Sequence, residues 1–166
     1  MLDELKRLLP GYEISAVTKE NFARIYDVYD TNQEFFMLTQ GERVTMESGM
    51  RDIEAMPPGF DAARKIYIGI WENGKAIGVL DLLEGYPEKS CVWIGLLMIH
   101  GGLHGRKIGS GVTAAVLAAA KAAGYKSVQL GVMDNNAAGM AFWRKHGFEE
   151  LRIKDNIIVM ENIFPP

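Results

Sequence analysis

Apolar and polar positions change rhythm several times along this chain, and each rhythm predicts an element. Residues 2–9 place Leu2, Leu5, Leu8 and Leu9 on one side of a short helix that Pro10 and Gly11 end. Residues 12–17 alternate as a strand. Thr18 stands where it would cap a helix carrying Phe22, Ile25, Tyr26 and Tyr29 at spacings of three and four. A less regular helical stretch follows, through residues 35–38 and 44–55. Its scattered Met37, Met46, Met50 and Met56 read as core and lid packing rather than a substrate entrance.

Met56, Pro57, Pro58 and Gly59 break this helical part from a strand-rich one. Two apolar runs, 66–71 and 76–83, flank a turn carrying Asn73-Gly74, which is a hairpin signal. A second turn at 84–90 leads into the apolar run 91–99, so three strands meander antiparallel. A loop at 100–108 and a small-residue helix from about Gly109 to Ala123 come next, then a strand at 127–133 with Val128, Leu130 and Val132 on one face. Strand, helix, strand implies a right-handed parallel crossover. Asn136 and its neighbours cap a last helix, 137–145, stopped by Gly147. Residues 148–152 and 156–163 close as strands. The expectation is one α/β domain over residues 1–166: a mixed, mostly antiparallel central sheet with flanking helices and one parallel β-α-β crossover.

Composition narrows the function classes. With 166 residues, 48% hydrophobic and 23% charged, the chain has enough apolar surface for one full core. A formal net charge of −3 speaks against a protein that coats nucleic acid. No apolar run approaches the ~20 residues of a membrane helix, and the acidic, short start is no signal sequence, so a cytoplasmic location is expected. The lone Cys91 excludes an intramolecular disulfide and, in an apolar strand, reads as core rather than nucleophile.

The loop at 100–109 carries the chemistry. Gly101, Gly102, Gly105 and Gly109 leave bare backbone for a ligand, and the next helix opens with N–H groups backed by the positive end of its dipole. Arg106 and Lys107 add charge, making a cradle for a phosphate or pyrophosphate. No window supplies a Walker A loop. Gly109-Ser110-Gly111 through Ala114 does match a dinucleotide fingerprint, with Asp134 placed as its ribose acid. Nine residues separate it from Ile99, however, and there is one crossover where such folds need several. His100 and His104 have a zinc-like spacing, but Gly101-Gly102 between them and the absence of a nearby cysteine argue against a metal.

The run Trp93–His100, the loop through Gly109, and the distal segment Asn136–Phe148 together resemble the GNAT acetyltransferase superfamily. The likeness covers roughly residues 67–150 well. It implies that the strand–loop–helix segment binds the pyrophosphate of acetyl-CoA through backbone amides, with the pantetheine arm between two splayed parallel strands. The family's loop pattern, Q/R-x-x-G-x-G/A, fits in two registers. Arg106 to Gly111 is a literal match. Counting from Ile99 instead puts His104 in the Gln/Arg place, Lys107 in the first Gly place and Gly109 in the second, and this register is preferred because it keeps loop and helix at usual lengths.

By this resemblance the cofactor-binding residues are Met98, Ile99, His104, Gly105, Arg106, Lys107, Ile108, Gly109, Ser110, Asn136 and Trp143, and the Ile99 amide polarises the acyl carbonyl. Trp143 occupies the place where the family often carries an acidic tyrosine, and Trp93 falls near the place of a strand glutamate, so neither familiar acid–base group is present. The base candidates are Asp81, Glu84 and His100. Asp81 lies in an apolar run where a raised pKa is expected. The function expected is direct transfer of acetyl from acetyl-CoA to an amine, a small molecule or polyamine-like cation rather than an RNA-bound one. A non-catalytic acyl-CoA sensor of the same fold is the alternative. No metal, nucleic acid or membrane partner is expected, and a homodimer is left open.

Overall fold

The computed structural model describes residues 1–166. Helix α1 (Leu2–Leu8) leads into β1 (Glu13–Ala16). Three short helices follow: α2 (Tyr26–Asp30), α3 (Gln33–Gln40) and α4 (Met46–Met50). β2 (Lys65–Glu72), β3 (Lys75–Glu84) and β4 (Cys91–Ile99) form the antiparallel meander. α5 (Ile108–Ala122) then crosses to β5 (Ser127–Met133), and α6 (Ala137–Lys145), β6 (Glu149–Lys154) and β7 (Ile157–Ile163) complete the chain. The seven strands run in the order β1-β2-β3-β4-β5-β7-β6, and only β4 and β5 are parallel. This is the mixed, mostly antiparallel sheet with one crossover that the hydrophobic pattern predicts.

Alternation along the strands gives the sheet two apolar faces. Ile68, Ile70, Leu80, Leu82, Val92 and Ile94 pack against α1 and α5, where Ala119 and Ala120 let α5 lie close. Tyr67, Trp71, Val79 and Met98 face the other way, under Phe22, Ile25, Tyr29 and Phe36. The β2–β3 turn places both Asn73 and Gly74 at positive φ (49° and 76°), as a two-residue hairpin of right-handed twist requires.

One irregularity positions everything that follows. Asp81 pairs with Leu96 and Leu82 with Ile94, so Gly95 is an extra residue in β4. This bulge reverses the alternation. Val92 and Ile94 share a face with Leu97 and Ile99, whereas strict period two would have grouped them with Leu96 and Met98. The parallel pairing with β5 stops at the same point, running only from Cys91↔Ser127 to Ile94↔Leu130. Beyond it the two strands splay apart, and the splay is the entrance to both cavities described below.

The chain between β1 and β2 differs from the sequence expectation. Thr18 caps no helix. Asn21 accepts from the Thr18 amide (2.8 Å) and donates to the Ala16 carbonyl (3.1 Å), which turns the chain locally. A 3-10 turn at Phe22–Arg24 follows, and α2 begins only at Tyr26.

Candidate active site

A cleft of about 580 Å³ lies between the end of β4, the loop after it, and the first turns of α5 and α6. The alternation of an antiparallel ladder settles which β4 amides face it. The His100 amide donates to the Ile77 carbonyl (2.9 Å), so Met98 also directs its backbone to β3. Leu97 and Ile99 point theirs into the splay. The Ile99 carbonyl on that side accepts from Asn32 Nδ2 (2.9 Å) and His104 Nε2 (3.0 Å), which stitches α3 and the loop to the strand. The Ile99 N–H is left aimed at the opening.

The loop is tied from both ends. The Gly101 amide donates to Thr31 Oγ1 (2.9 Å), His100 Nε2 lies 2.8 Å from Asp27 Oδ2, and His100 Nδ1 accepts from the Gly102 amide (3.0 Å). At the head of α5, Lys107 takes φ 62° and ψ 15°, and no side chain caps the helix. Ile108, Gly109 and Ser110 therefore present amides without an intrahelical acceptor. Lys107 and Lys145 bring positive charge, and no aspartate or glutamate lines this cleft. Opposite stand Asn136, whose Oδ1 caps α6 by accepting from the Gly139 amide (2.9 Å), and the edge-to-face pair Phe142–Trp143, centroids 4.9 Å apart. Ser110 Oγ is 3.0 Å from His146 Nε2, and burial of His146 together with the nearby Lys145 holds its pKa below the usual imidazole value. Bare amides, two ammonium groups and an apolar wall fit a pyrophosphate with a pantetheine tail.

Lys107 bears on the two loop registers. A left-handed backbone at a residue with a Cβ costs about 1–2 kcal/mol, and the position is the first Gly place in the register that starts at His104. Lys107→Gly removes that strain but loosens the unfolded chain by about 0.4–1 kcal/mol. The expected outcome is a net stabilisation of about 0.5 kcal/mol in urea unfolding, together with weaker coenzyme A binding from the lost charge.

A second cavity of about 530 Å³ opens on the other side of the splay, sharing Phe35, Leu97, Asn136 and Trp143 with the first. Its charge is opposite. Asp52 and Asp81 line it and no lysine, arginine or histidine does. Asp81 is 7% exposed and lies beside the bulge, where a Cβ on Gly95 would come within 2.5 Å of its Oδ2. Behind it Lys65 Nζ sits 2.9 Å from both carboxylate oxygens and donates to the Ala55 carbonyl (2.7 Å). Burial outweighs this partner, and the Asp81 pKa is raised to about 6. Asp52 Oδ2 accepts from Tyr29 OH (2.8 Å), which is hydrogen-bonded in turn to Tyr67 OH. Burial raises the pKa of Asp52 and of both tyrosines, so the phenols stay neutral.

Ten of the residues expected to bind cofactor line the first cleft; Arg106 does not, and it is exposed. Of the base candidates, Asp81 alone lines a cavity. Glu84 is turned to the opposite face of the sheet, where Tyr125 OH donates to it (3.1 Å) and the Met1 amine lies 3.9 Å away. His100 is occupied as a loop cap between Asp27 and Gly102 and lines neither cavity. Asp52 and Lys65 escape sequence reasoning, as nothing in their local pattern marks them; only the tertiary approach of the α4 region to β2 brings them to the site.

A family model described as Acetyltransferase (GNAT) family matches residues 22–148, a span that takes in both cavities' principal elements. The chain belongs to that family. Solved structures agree in fold. An acetyltransferase from Thermus thermophilus is 23% identical with a TM-score of 0.77, over 92% of this chain and 97% of that one. PaiA N-acetyltransferase from Thermoplasma acidophilum, in complex with coenzyme A, is 16% identical with a TM-score of 0.67, over 92% and 99%. The ribosomal-protein-S18-alanine N-acetyltransferase from Escherichia coli is 14% identical with a TM-score of 0.65, over 92% and 93%. A sequence comparison with curated proteins returned no match. No helix is long and apolar enough to cross a membrane.

Proposed function

We propose that this acetyltransferase moves the acetyl group of acetyl-CoA directly onto an amine, with the two reactants approaching from opposite sides of the β4–β5 splay. The observation that carries the reading is the charge contrast: a cation-lined cleft on one side and an acid-lined cavity on the other, meeting at Leu97 and Trp143. The α5 amides, Lys107 and Lys145 hold the diphosphate, and the Ile99 N–H stabilises charge developing on the acyl oxygen. The amine nitrogen bonds to the acyl carbon as the carbon–sulfur bond breaks. Asp81 accepts the amine's proton, directly or through one water, at a pKa suited to that work near neutrality. The thiolate leaves without help from Trp143, whose indole is no acid. A thiol pKa of about 8.5 makes that tolerable, with water supplying the proton. Trp143 and Phe142 wall off the thioester.

Trp143 also sustains a second reading, a sensor that binds acyl-CoA without turnover. Calorimetry with coenzyme A and a free-thiol assay with acetyl-CoA over an amine panel separate the two. The expected result is saturable binding and acceptor-dependent thiol release. Tight binding with no release on any amine points to the sensor, and no heat with coenzyme A removes both.

A further inference from the structure

The acceptor cavity has a composition that selects among amines. Its polar wall is short: Asp52, Asp81, Thr39, Gln40 and Asn136. Asn136 Oδ1 is already committed to the Gly139 amide. The rest is apolar or aromatic, with Trp93 and Tyr86 edge-to-face at 5.7 Å and Leu83, Leu130, Val132 and Met56 around them. Lys65 lies behind the wall and offsets one of the two carboxylates, and no second cation is present to offset the other. Asp52 has one oxygen bonded to Tyr29 and the other without a protein partner. Asp81 Oδ1 is buried and, despite the nearby Lys65, receives no well-aligned hydrogen bond. On an otherwise greasy wall the cavity therefore carries one uncompensated negative charge and one carboxylate oxygen, on Asp52, without a protein donor, while the unbonded Asp81 Oδ1 is sealed from the cavity.

We infer that the acceptor is a monoamine whose single ammonium group is held between Asp52 and Asp81 while an apolar, ring-sized body fills the aromatic part of the cavity. This deepens the acceptor reading above and rests on it. A carboxylate pair at one end rewards one ammonium with charge-assisted hydrogen bonds. A second ammonium on the same molecule would have to lie against Leu83, Leu130 and Val132 with no acid in reach, and burying an unpaired charge is strongly unfavourable. A peptide amino terminus brings backbone N–H and carbonyl groups, for which the side-chain partners are Gln40, Thr39 as acceptor and the Tyr86 hydroxyl. These stand beside the unpaired β4 and β5 backbone of the splay, so trialanine is included as the competing probe. The volume of about 530 Å³ accommodates a compact ring-bearing molecule. The polyamine-like cation expected from overall charge is thereby disfavoured, because the whole chain's −3 says nothing about the distribution inside this cavity.

The test is equilibrium binding to the full chain saturated with coenzyme A, measured by calorimetry with four probes: phenethylamine, phenethyl alcohol, spermidine and trialanine. Phenethylamine should bind at least about tenfold tighter than the alcohol of the same body, since a hydrogen bond to a charged group is worth about 1.5–3 kcal/mol. It should also bind at least about tenfold tighter than spermidine or trialanine. Asp52→Asn, which keeps a partner for Tyr29, should bring amine and alcohol to within about twofold of each other. The wild-type ranking stands as a test even if that variant does not fold. Equal binding of amine and alcohol, stronger binding of spermidine or trialanine, or no binding of phenethylamine overturns the inference. Thiol release is read separately. Phenethylamine bound with the expected preference, with no thiol release on any amine of the panel, leaves the binding inference standing and sinks catalysis; acetylation of spermidine alone does the reverse.

Discussion

Asp81→Asn lowers kcat/KM for an amine acceptor by about 10²–10⁴-fold, the range that loss of a positioned base produces, while affinity for coenzyme A is unchanged. The second half follows from geometry, because Asp81 lines only the acid-lined cavity and not the cation-lined cleft. Lys65 complicates the fold, not the logic. It loses its carboxylate partner on removal of the charge, so stability falls as well, and thermal unfolding with coenzyme A calorimetry must accompany the kinetics. The pH profile supplies the more specific check. The carboxylate must be ionised to accept a proton, so wild-type kcat/KM rises with pH through an apparent pKa near 6 and then levels. Lys65 lowers that pKa against the pull of burial. Lys65→Met therefore moves the ascending limb to higher pH. A profile that ignores both substitutions removes Asp81 from proton transfer.

Much of the frame was legible because long periodic segments announce themselves. The apolar run 91–99, the small-residue helix after it and the capped helix beginning at Ala137 appear within a residue or so of where pattern and capping put them. Residues 18–64 were legible only in outline: the helical character of 35–38 and 44–55 holds in α3, α4 and the turn after it, but the start of α2 does not follow the pattern. Three helices of five to eight residues there have too few turns for a period to emerge, and the side chain of Asn21 diverts the chain where Thr18 promised a cap.

At the site the limits are sharper. Alternation through β4 assigns the wrong face to half the strand, because the extra residue at Gly95 reverses parity without changing composition. The left-handed backbone of Lys107 hides behind a residue that rarely takes it. Asp52 is held at the wall of the second cavity by its bond with Tyr29, 23 residues away, and Tyr29 by its bond with Tyr67, 38 away. Long-range approach of this kind leaves no local trace. Glu84 has the opposite history: three residues from Asp81, it falls on the other face of β3 by simple alternation, beside Tyr125 and the Met1 amine.

Gly101→Ala carries the other large expected effect, through the coupling of the loop to the helical layer. A Cβ at Gly101 would overlap the Thr31 carbonyl oxygen, and that oxygen belongs to backbone at the end of α2, not to a side chain free to turn aside. Either the loop or α2 must move. The Gly101–Thr31 and His100–Asp27 contacts are the first to be lost, and Asn32 follows, since it reaches Ile99 from the next residue along. The cost is about 2–3 kcal/mol of stability, typical of overpacking at a rigid contact. Binding suffers separately, because the displaced loop carries His104 and leads into the amides of α5. An affinity loss for coenzyme A of about tenfold or more is expected, read by calorimetry well below the variant's melting temperature. Gly105→Ala is the control from the same loop. Gly105 has open space around it but a φ of 84°, so its cost is backbone strain alone, with the ties to α2 intact. If both substitutions weaken coenzyme A equally, the ties between loop and helix are not what holds the cradle in shape.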